Sequence, residues 1–447
     1  MRVAPVLCLA GPTRNTNGNA GYCRSRLSPT FDPASVPTLV RFAFPLLVLA
    51  VLLGGCSSPT AEEGDAAPVR LMTYNIEDVR TSDLKRTDHP RLRTAAARIQ
   101  ALAPDVLLVN ELTYDQPGDP GYTADDPAGQ NARRFVEHYL SRPQADTLEG
   151  LSYQTVMLPV NTGLPSGHDL NNDGRVVTEV PSVSPSPEDG RVAEQTAPGR
   201  AYGNDAWGFG TFPGQYGMAL FVRADVEVLR DSIRTFRLFP WSRMPNAAEP
   251  VDSTSGEPWY TPEEWRHFRL SSKSHWDVPL RLPDGSILHV LASHPTPPAF
   301  DGPARRNVRR NHDEIRLWVD YLNDAAYLRD DSSRGGGLHA GAAFAVMGDL
   351  NADPEEEGVY RGAIRNLVGH ERVRTSTVPT ATAAGQAAFP SLAPDATARW
   401  GGRIDYVLPS VTLTVDSTGV WRPVPRDTTA LPASDHFPVW MDVRVQP

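Results

Sequence analysis

Cysteine is almost missing from this chain of 447 residues: only Cys8, Cys23 and Cys56 occur, all within the first 56 positions. The remainder therefore has no disulfide staple, no thiol nucleophile and none of the soft ligands that structural zinc favours. An H-E-x-x-H pair is absent as well, which removes a common helical zinc signature. Long apolar runs are scarce. The longest covers residues 42–53, too short to span a bilayer but suited to the apolar region of a secretory signal. Basic excess is missing too, since 43 Lys and Arg face 53 Asp and Glu for a net charge of −10. That balance disfavours the broad phosphate contacts of a tight nucleic-acid binder, while leaving room for an enzyme that uses a cation and a few local arginines.

Arg41 precedes the apolar run, and Leu53-Gly54-Gly55-Cys56 closes it. This ending resembles the lipobox of bacterial lipoproteins, which implies cleavage before Cys56 and lipidation of its sulfur. Residues 1–55 are read as signal and pre-sequence, 56–68 as a lipidated tether, and 69–447 as one large domain. Residues 1–35 are long and polar for the start of a signal, which places the expected translation start near 36–40. The expected location is the bacterial cell envelope, outside the cytoplasm, with the membrane as a partner through the anchor. No protein partner is implied.

Beyond the tether, Val69, Leu71, Thr73 and Tyr74 read as a strand that stops at Asn75. Asp88-His89-Pro90 starts a helix whose Leu92, Ala95, Ala96, Ile99 and Leu102 keep helical spacing. Val106 to Val109 form a second buried strand ending at Asn110-Glu111. Residues 131–140 read as a short helix, and 153–158 and 215–222 as strands. Pro283-Asp284-Gly285 between two apolar runs reads as a hairpin turn, and the second arm ends at Ser293-His294-Pro295. An arginine-rich loop at 301–311 leads into a helix carrying Ile315, Leu317, Trp318 and Leu322. Phe344 to Met347 then run into Gly348-Asp349-Leu350-Asn351 before Pro354 forbids further sheet, and 355–367 reads as helical. The chain closes on Arg403-Ile404-Asp405-Tyr406, a strand at 411–415, Ser434-Asp435-His436-Phe437-Pro438 and an alternating strand over 439–445.

Two segments, 159–214 and 239–265, are longer than ordinary loops. Within the first, Asp169-Leu170-Asn171-Asn172-Asp173-Gly174 matches the first half of a calcium loop, making Asp169, Asn171 and Asp173 candidate ligands of a structural Ca2+. The twelfth position is Val180, so a plain Asx-rich turn is the competing reading. In the second segment, Trp241, Trp259, Tyr260 and Trp265 either line a groove or pack the excursion down. Arg306, Arg309 and Arg310 are candidate phosphate contacts, against a solvated loop.

The polar residues at strand ends are Asn75, Glu111, His294, Asp349, Asn351, Asp405, Asp435 and His436. Singly, each also reads as a turn cap. Together they supply hard oxygens suited to magnesium, imidazoles for proton and charge work, and amides to orient phosphate or water.

In this order they resemble the motif series of the endonuclease/exonuclease/phosphatase superfamily, the deoxyribonuclease I-like group, over about residues 69–445. The resemblance implies an α/β (α+β) fold: a four-layered α/β sandwich, with two mostly antiparallel β-sheets face to face and helices outside. It also implies hydrolysis of a phosphate ester with Mg2+ or Mn2+. Glu111 then ligates the metal with Asn75 beside it, and Asp435 completes metal or water positioning. Asp349 positions or deprotonates the attacking water, and Asn351 binds the phosphate. His436, held by Asp405, donates to the developing phosphorane oxygens, while His294 stabilises the phosphate or the leaving oxygen. The expected activity is an exported phosphodiesterase acting on nucleic acid or nucleotide phosphodiesters. A phospholipid, sphingomyelin or small organic phosphate is the alternative substrate class. A non-catalytic surface binding module is the rival from another class, and it predicts erosion of site residues that are all present. The segments at 159–214 and 239–265 depart from the well-known nucleases as long insertions, and no basic stripe for DNA is evident.

Overall fold

The computed structural model describes residues 67–424 and 433–446, so Cys56, the tether and the leader lie outside the described residues. Strands in this chain read as continuous apolar runs because both of their faces are buried. In β1 (Val69–Val79), Leu71 enters one core and Met72 and Tyr74 another. In β2 (Val106–Leu112), Val106 and Leu108 join the first core, Leu107 and Val109 the second.

The further strands are β3 (Tyr153–Val156), β4 (Met218–Arg223), β5 (Glu227–Val228), β6 (Arg234–Thr235), β7 (His275–Arg281), β8 (Ile287–Ser293), β9 (Ala343–Asp349), β10 (Asp405–Pro409), β11 (Leu413–Val420) and β12 (Val439–Val445). One six-stranded sheet runs β11-β12-β1-β2-β4-β3, and the other β10-β9-β8-β7-β5 with β6 also on β7. Each is antiparallel apart from a single parallel pair, β1 with β2 and β8 with β9.

Leu71, Leu108 and Leu220 of the first sheet share a central core with Val278, Val290 and Met347 of the second. Outside the first sheet, the helix Pro90–Leu102 packs Leu92, Ala96 and Ile99 on Met72 and Tyr74. Outside the second, the helix Arg306–Leu322 packs Ile315, Trp318 and Leu322 on Phe344 and Val346. Helix, sheet, sheet, helix is the expected four-layered sandwich, and the two mixed sheets are mostly antiparallel as expected.

Several boundaries differ from the sequence reading. The helix carrying Ile315 begins at Arg306, so the arginines lie on its first turns and not in a loop. After Pro354 the helix forms only over Gly362–Val368, because Gly358 at φ 138° breaks the chain first. The hairpin arm starts earlier, at His275. The 159–214 segment holds a helix, Ala197–Asn204, started by Thr196, whose hydroxyl accepts the Gly199 N–H. In the 239–265 segment the aromatics mainly pack: Trp241 is buried with its indole N–H on Asp313, 2.6 Å away, and Tyr260 stacks on Phe268 at 4.6 Å.

Candidate active site

Both sheets place their polar ends at one edge of the sandwich. From the first come Asn75 on β1, Glu111 on β2 and Ser434-Asp435-His436 just before β12; from the second come His294 after β8, Asp349 ending β9 and Asp405 opening β10. Register brings Asn75 opposite Asn110 and Asp349 opposite Asp405. At Gly348 the backbone takes φ 138°, and an added Cβ would lie 2.0 Å from the Ser293 carbonyl oxygen. Only glycine therefore lets β9 deliver Asp349 beside β8. Glu77, Asp78, Glu111 and Asn351 also hold positive φ without being glycine, a clustering of strain that functional sites show more often than ordinary turns.

Asn75 joins the two sheets, its Nδ2 donating to Glu111 Oε1 at 3.1 Å and to Asp349 Oδ2 at 3.0 Å. The Asp78 N–H donates to Glu111 Oε2 at 2.9 Å. Asp349 is held from both sides: its own N–H donates to Asn110 Oδ1 at 3.2 Å, and its Oδ1 accepts the Asn351 N–H at 2.9 Å. Asn351 Nδ2 donates to the Pro295 carbonyl at 3.1 Å. His436 Nδ1 lies 2.8 Å from Asp405 Oδ2, and its Nε2 lies 3.8 Å from both Asp349 Oδ2 and Asp435 Oδ1. His294 Nε2 is 3.5 Å from the same Asp349 oxygen. All the residues at strand ends singled out in the sequence thus meet in one place.

Burial sets the electrostatics. It pushes Asp349 up to about 7, with Asp405 adding to the shift and His436 opposing it. Burial works against charge on His436 also, but Asp405, Asp349 and Asp435 hold it well above an ordinary imidazole. Burial, then Lys273 and His436, push His294 well below that value, so it is a neutral ring. Glu111, Asp435 and Glu77 are each raised, first by burial. One imidazolium, one neutral imidazole and a carboxylate that titrates near neutrality are the parts of a proton-handling site.

Lys273 was not foreseen. It is buried, lies in the Ser271-Ser272-Lys273-Ser274 run before β7, and spends one weak hydrogen bond on the Pro295 carbonyl at 3.4 Å. Burial lowers its pKa, while Glu314, Glu111 and Asp349 favour its charge. Glu314 was missed as well: its carboxylate accepts the N–H of Ser272 and of Thr296, each at 2.6 Å, clamping the loops that carry Lys273 and His294. One turn earlier, Asn311 Nδ2 donates to the carbonyls of Thr296 at 2.9 Å and Leu350 at 3.0 Å. Asn311 and Glu314, at i and i+3, share the buried side of this helix with Ile315 and Trp318, and that spacing was the available signal.

The candidate phosphate arginines sit nearby with their donors engaged elsewhere. Arg309 donates to Glu249 O, Arg306 to Leu170 O, and Arg310 to the carbonyls of Leu270, Trp207 and Arg269. In the calcium-like loop, Asp169 accepts the N–H of Asp173 and Gly174, and Asn171 Oδ1 accepts the Asp173 N–H. The loop is exposed and remote in sequence from the strand ends.

The donor set suits a hard divalent cation. Asp349, Asp405 and His436 bring ligand-type atoms within 4.8 Å of one another, the one such cluster among the described residues, though His436 as an imidazolium leaves the carboxylates as the donors. Glu111 and Asp435 add carboxylates whose charge burial disfavours and a cation would stabilise. Asp405 Oδ1 and both ring nitrogens of His294 are buried without a hydrogen-bond partner, as expected where an ion, water or substrate completes the site.

A two-sheet α/β sandwich with buried carboxylates and imidazoles at its polar edge defines a class of hydrolase. The chain belongs to the endonuclease/exonuclease/phosphatase family, whose model matches residues 72–436. Members of this family hydrolyse phosphoester bonds and depend on a divalent metal, and this protein is a hydrolase of that kind. Among solved structures, an endonuclease/exonuclease/phosphatase from Beutenbergia cavernae is similar at 19% identity and TM-score 0.46, covering 85% of this chain and 72% of its own. The human Nocturnin catalytic domain shares 14% identity at TM-score 0.40, with 86% and 96% covered. A mannosyl-6-phosphatase from Bacteroides thetaiotaomicron shares 14% at TM-score 0.38, with 84% and 97% covered. No curated protein matches.

Proposed function

We propose that this protein is an extracytoplasmic phosphodiesterase that hydrolyses nucleic acid or nucleotide phosphodiesters by in-line attack of water. The observation that carries the reading is the Asp349 carboxylate, bridged to Glu111 by Asn75 and faced by His294 and His436. Asp349, titrating near neutrality, orients the attacking water and accepts its proton. As the water oxygen bonds to phosphorus and the ester P–O bond breaks, negative charge grows on the phosphoryl oxygens. The His436 imidazolium, fixed by Asp405, and buried Lys273 stabilise that charge where water cannot screen it. Neutral His294 donates a hydrogen bond to phosphate or to the leaving oxygen, and Asn351 holds the phosphate. Glu111 and Asp435, with Asn75 beside them, would hold Mg2+ or Mn2+, which supplies Lewis-acid polarisation of the phosphoryl oxygens. Export and anchoring at Cys56 rest on the leader sequence.

The test is hydrolysis by the purified protein with Mg2+ or Mn2+ of bis-p-nitrophenyl phosphate, plasmid DNA, p-nitrophenyl phosphate and sphingomyelin. Turnover of the diesters that EDTA abolishes is expected. Absence of turnover on all four, or a clear preference for sphingomyelin, defeats the reading. Cys56→Ala is expected to block processing of the leader, seen as a mass difference in expressing cells.

A further inference from the structure

We propose that the insertion at 159–214 builds a nucleotide pocket beside the catalytic groups, so that the substrate is a small nucleotide phosphodiester whose nucleoside part enters the protein. This rests on the phosphodiesterase reading and narrows it. A cavity of about 590 Å³ opens from Glu111, Lys273 and His294 toward Leu170, Gln195, Arg200 and Phe209 of the insertion. That volume suits one small organic group. Tyr260, Phe268 and Arg306 close it from other elements.

Two features of the lining point to a nucleotide. The first is charge: Arg200, Lys273, Arg306 and Arg310 face one carboxylate, Glu111, in a protein of net charge −10. Each of these cations donates to backbone carbonyls, Arg200 to Gln195 O, Lys273 to Pro295 O, Arg306 to Leu170 O and Arg310 to Leu270 O. Glu314, Glu111 and Asp349 favour the charge of Lys273 and Glu314 that of Arg310, while Arg200 and Arg306 have no carboxylate partner at ion-pair distance among the described residues, so the insertion side of the cavity favours the anionic part of a substrate. The second is aromatic surface. Phe209 stands 38% exposed, and Phe300 is fully exposed at 100%. Flat apolar faces open to water beside the guanidinium groups of Arg200 and Arg306 suit a heterocyclic base joined to phosphate. A lipid headgroup such as phosphocholine would bring its own cation into the same field, which offsets the attraction of its phosphate.

The pocket is built before any ligand arrives. Buried Asp205 accepts the N–H groups of Leu170 at 3.0 Å and Val177 at 2.9 Å. Tyr202 Oη donates to Gly163 O at 2.6 Å, and Thr196 caps the helix Ala197–Asn204 that presents Arg200. A wall pinned in this way loses little freedom on binding, which favours selection.

The experiment compares two chromogenic diesters that release the same p-nitrophenolate, thymidine 5′-monophosphate p-nitrophenyl ester and methyl p-nitrophenyl phosphate, using the whole chain. The expected result is a kcat/KM about tenfold or more higher for the nucleotide ester. In Arg200→Ala and Phe209→Ala that preference shrinks, with KM moving more than kcat. Thymidine 5′-monophosphate should inhibit competitively, and glycerophosphocholine and glucose 6-phosphate should not at equal concentration. No preference, a preference unchanged in both variants, or equal inhibition by glycerophosphocholine overturns the proposal. Should Phe209→Ala fail to fold, Arg200→Ala, an exposed site, carries the comparison. If neither diester is hydrolysed, the phosphodiesterase reading fails, and calorimetric titration with thymidine 5′-monophosphate decides the pocket separately. Saturable binding weakened in Arg200→Ala sustains it, and absence of binding ends it.

Discussion

Asp349 concentrates the conflict between stability and chemistry at this site. Burial raises it to about 7, so between the ordinary aspartate range and that value the folded protein keeps a proton that the unfolded chain has lost. The stability tied to this group is therefore complete at low pH and lost as pH rises through about 7, whereas the role of base proposed for it requires the form that appears over that same interval. Two outcomes are expected. In the metal-free protein, Asp349→Asn should flatten the fall in melting temperature between about pH 4 and about pH 7. The same change should cost about a thousandfold in kcat. In the wild type, kcat/KM should rise with pH through this carboxylate and decline only at alkaline pH, where His436 loses its proton. A rate profile flat from acid to neutral pH would remove Asp349 from its role as base. Asp349 and Asn351 were visible in the sequence as polar residues where an apolar strand ends. Lys273 was not, because its burial arises from a loop held by Glu314 and by the segment after β8, both remote in sequence.

Among elements, the helix Arg306–Leu322 does more than cover a sheet. Its apolar face packs on Phe344 and Val346, while Glu314 and Asn311 reach past that core to the loops carrying Lys273, His294 and Asn351. Glu314→Ala leaves two buried N–H groups without an acceptor, and the expected loss is about 3 kcal/mol of stability in urea unfolding. Because the loops then drift from reacting geometry, kcat should drop about tenfold or more while KM changes less. Equal effects on both constants would assign Glu314 to binding. The helix was legible from Ile315, Leu317, Trp318 and Leu322. Its start was not, since Arg305 opens it at positive φ without capping it, and the first-turn N–H groups of Asn307 and Val308 go instead to the carboxylate of Asp301. The helix after Pro354 was over-extended for a related reason: the acidic run suits a helix, but Gly358 at φ 138° interrupts it.

At the scale of the molecule, three apolar cores hold the sandwich together, and the candidate catalytic groups form its polar edge. EDTA should accordingly abolish activity while circular dichroism stays native, and Mg2+ or Mn2+ should restore the rate. Unfolding on chelation would instead make the ion part of the fold. Leu108→Ala, within the core between the sheets, should cost about 3 kcal/mol in denaturant unfolding.

Strand identity, the residues at strand ends and the chemistry those residues offer were already present in the chain, because continuous apolar runs and terminal polarity are local properties that a short window carries. Their convergence was not. Asn75 and Asp349 stand 274 positions apart and touch only because two sheets pack face to face. The same packing decided the burial that moves Asp349 and His294 away from their ordinary pKa values. It also decided the use of Glu314 as a clamp and the placing of the 159–214 segment against the catalytic groups, all of which depend on distances that arise when remote segments exclude water together.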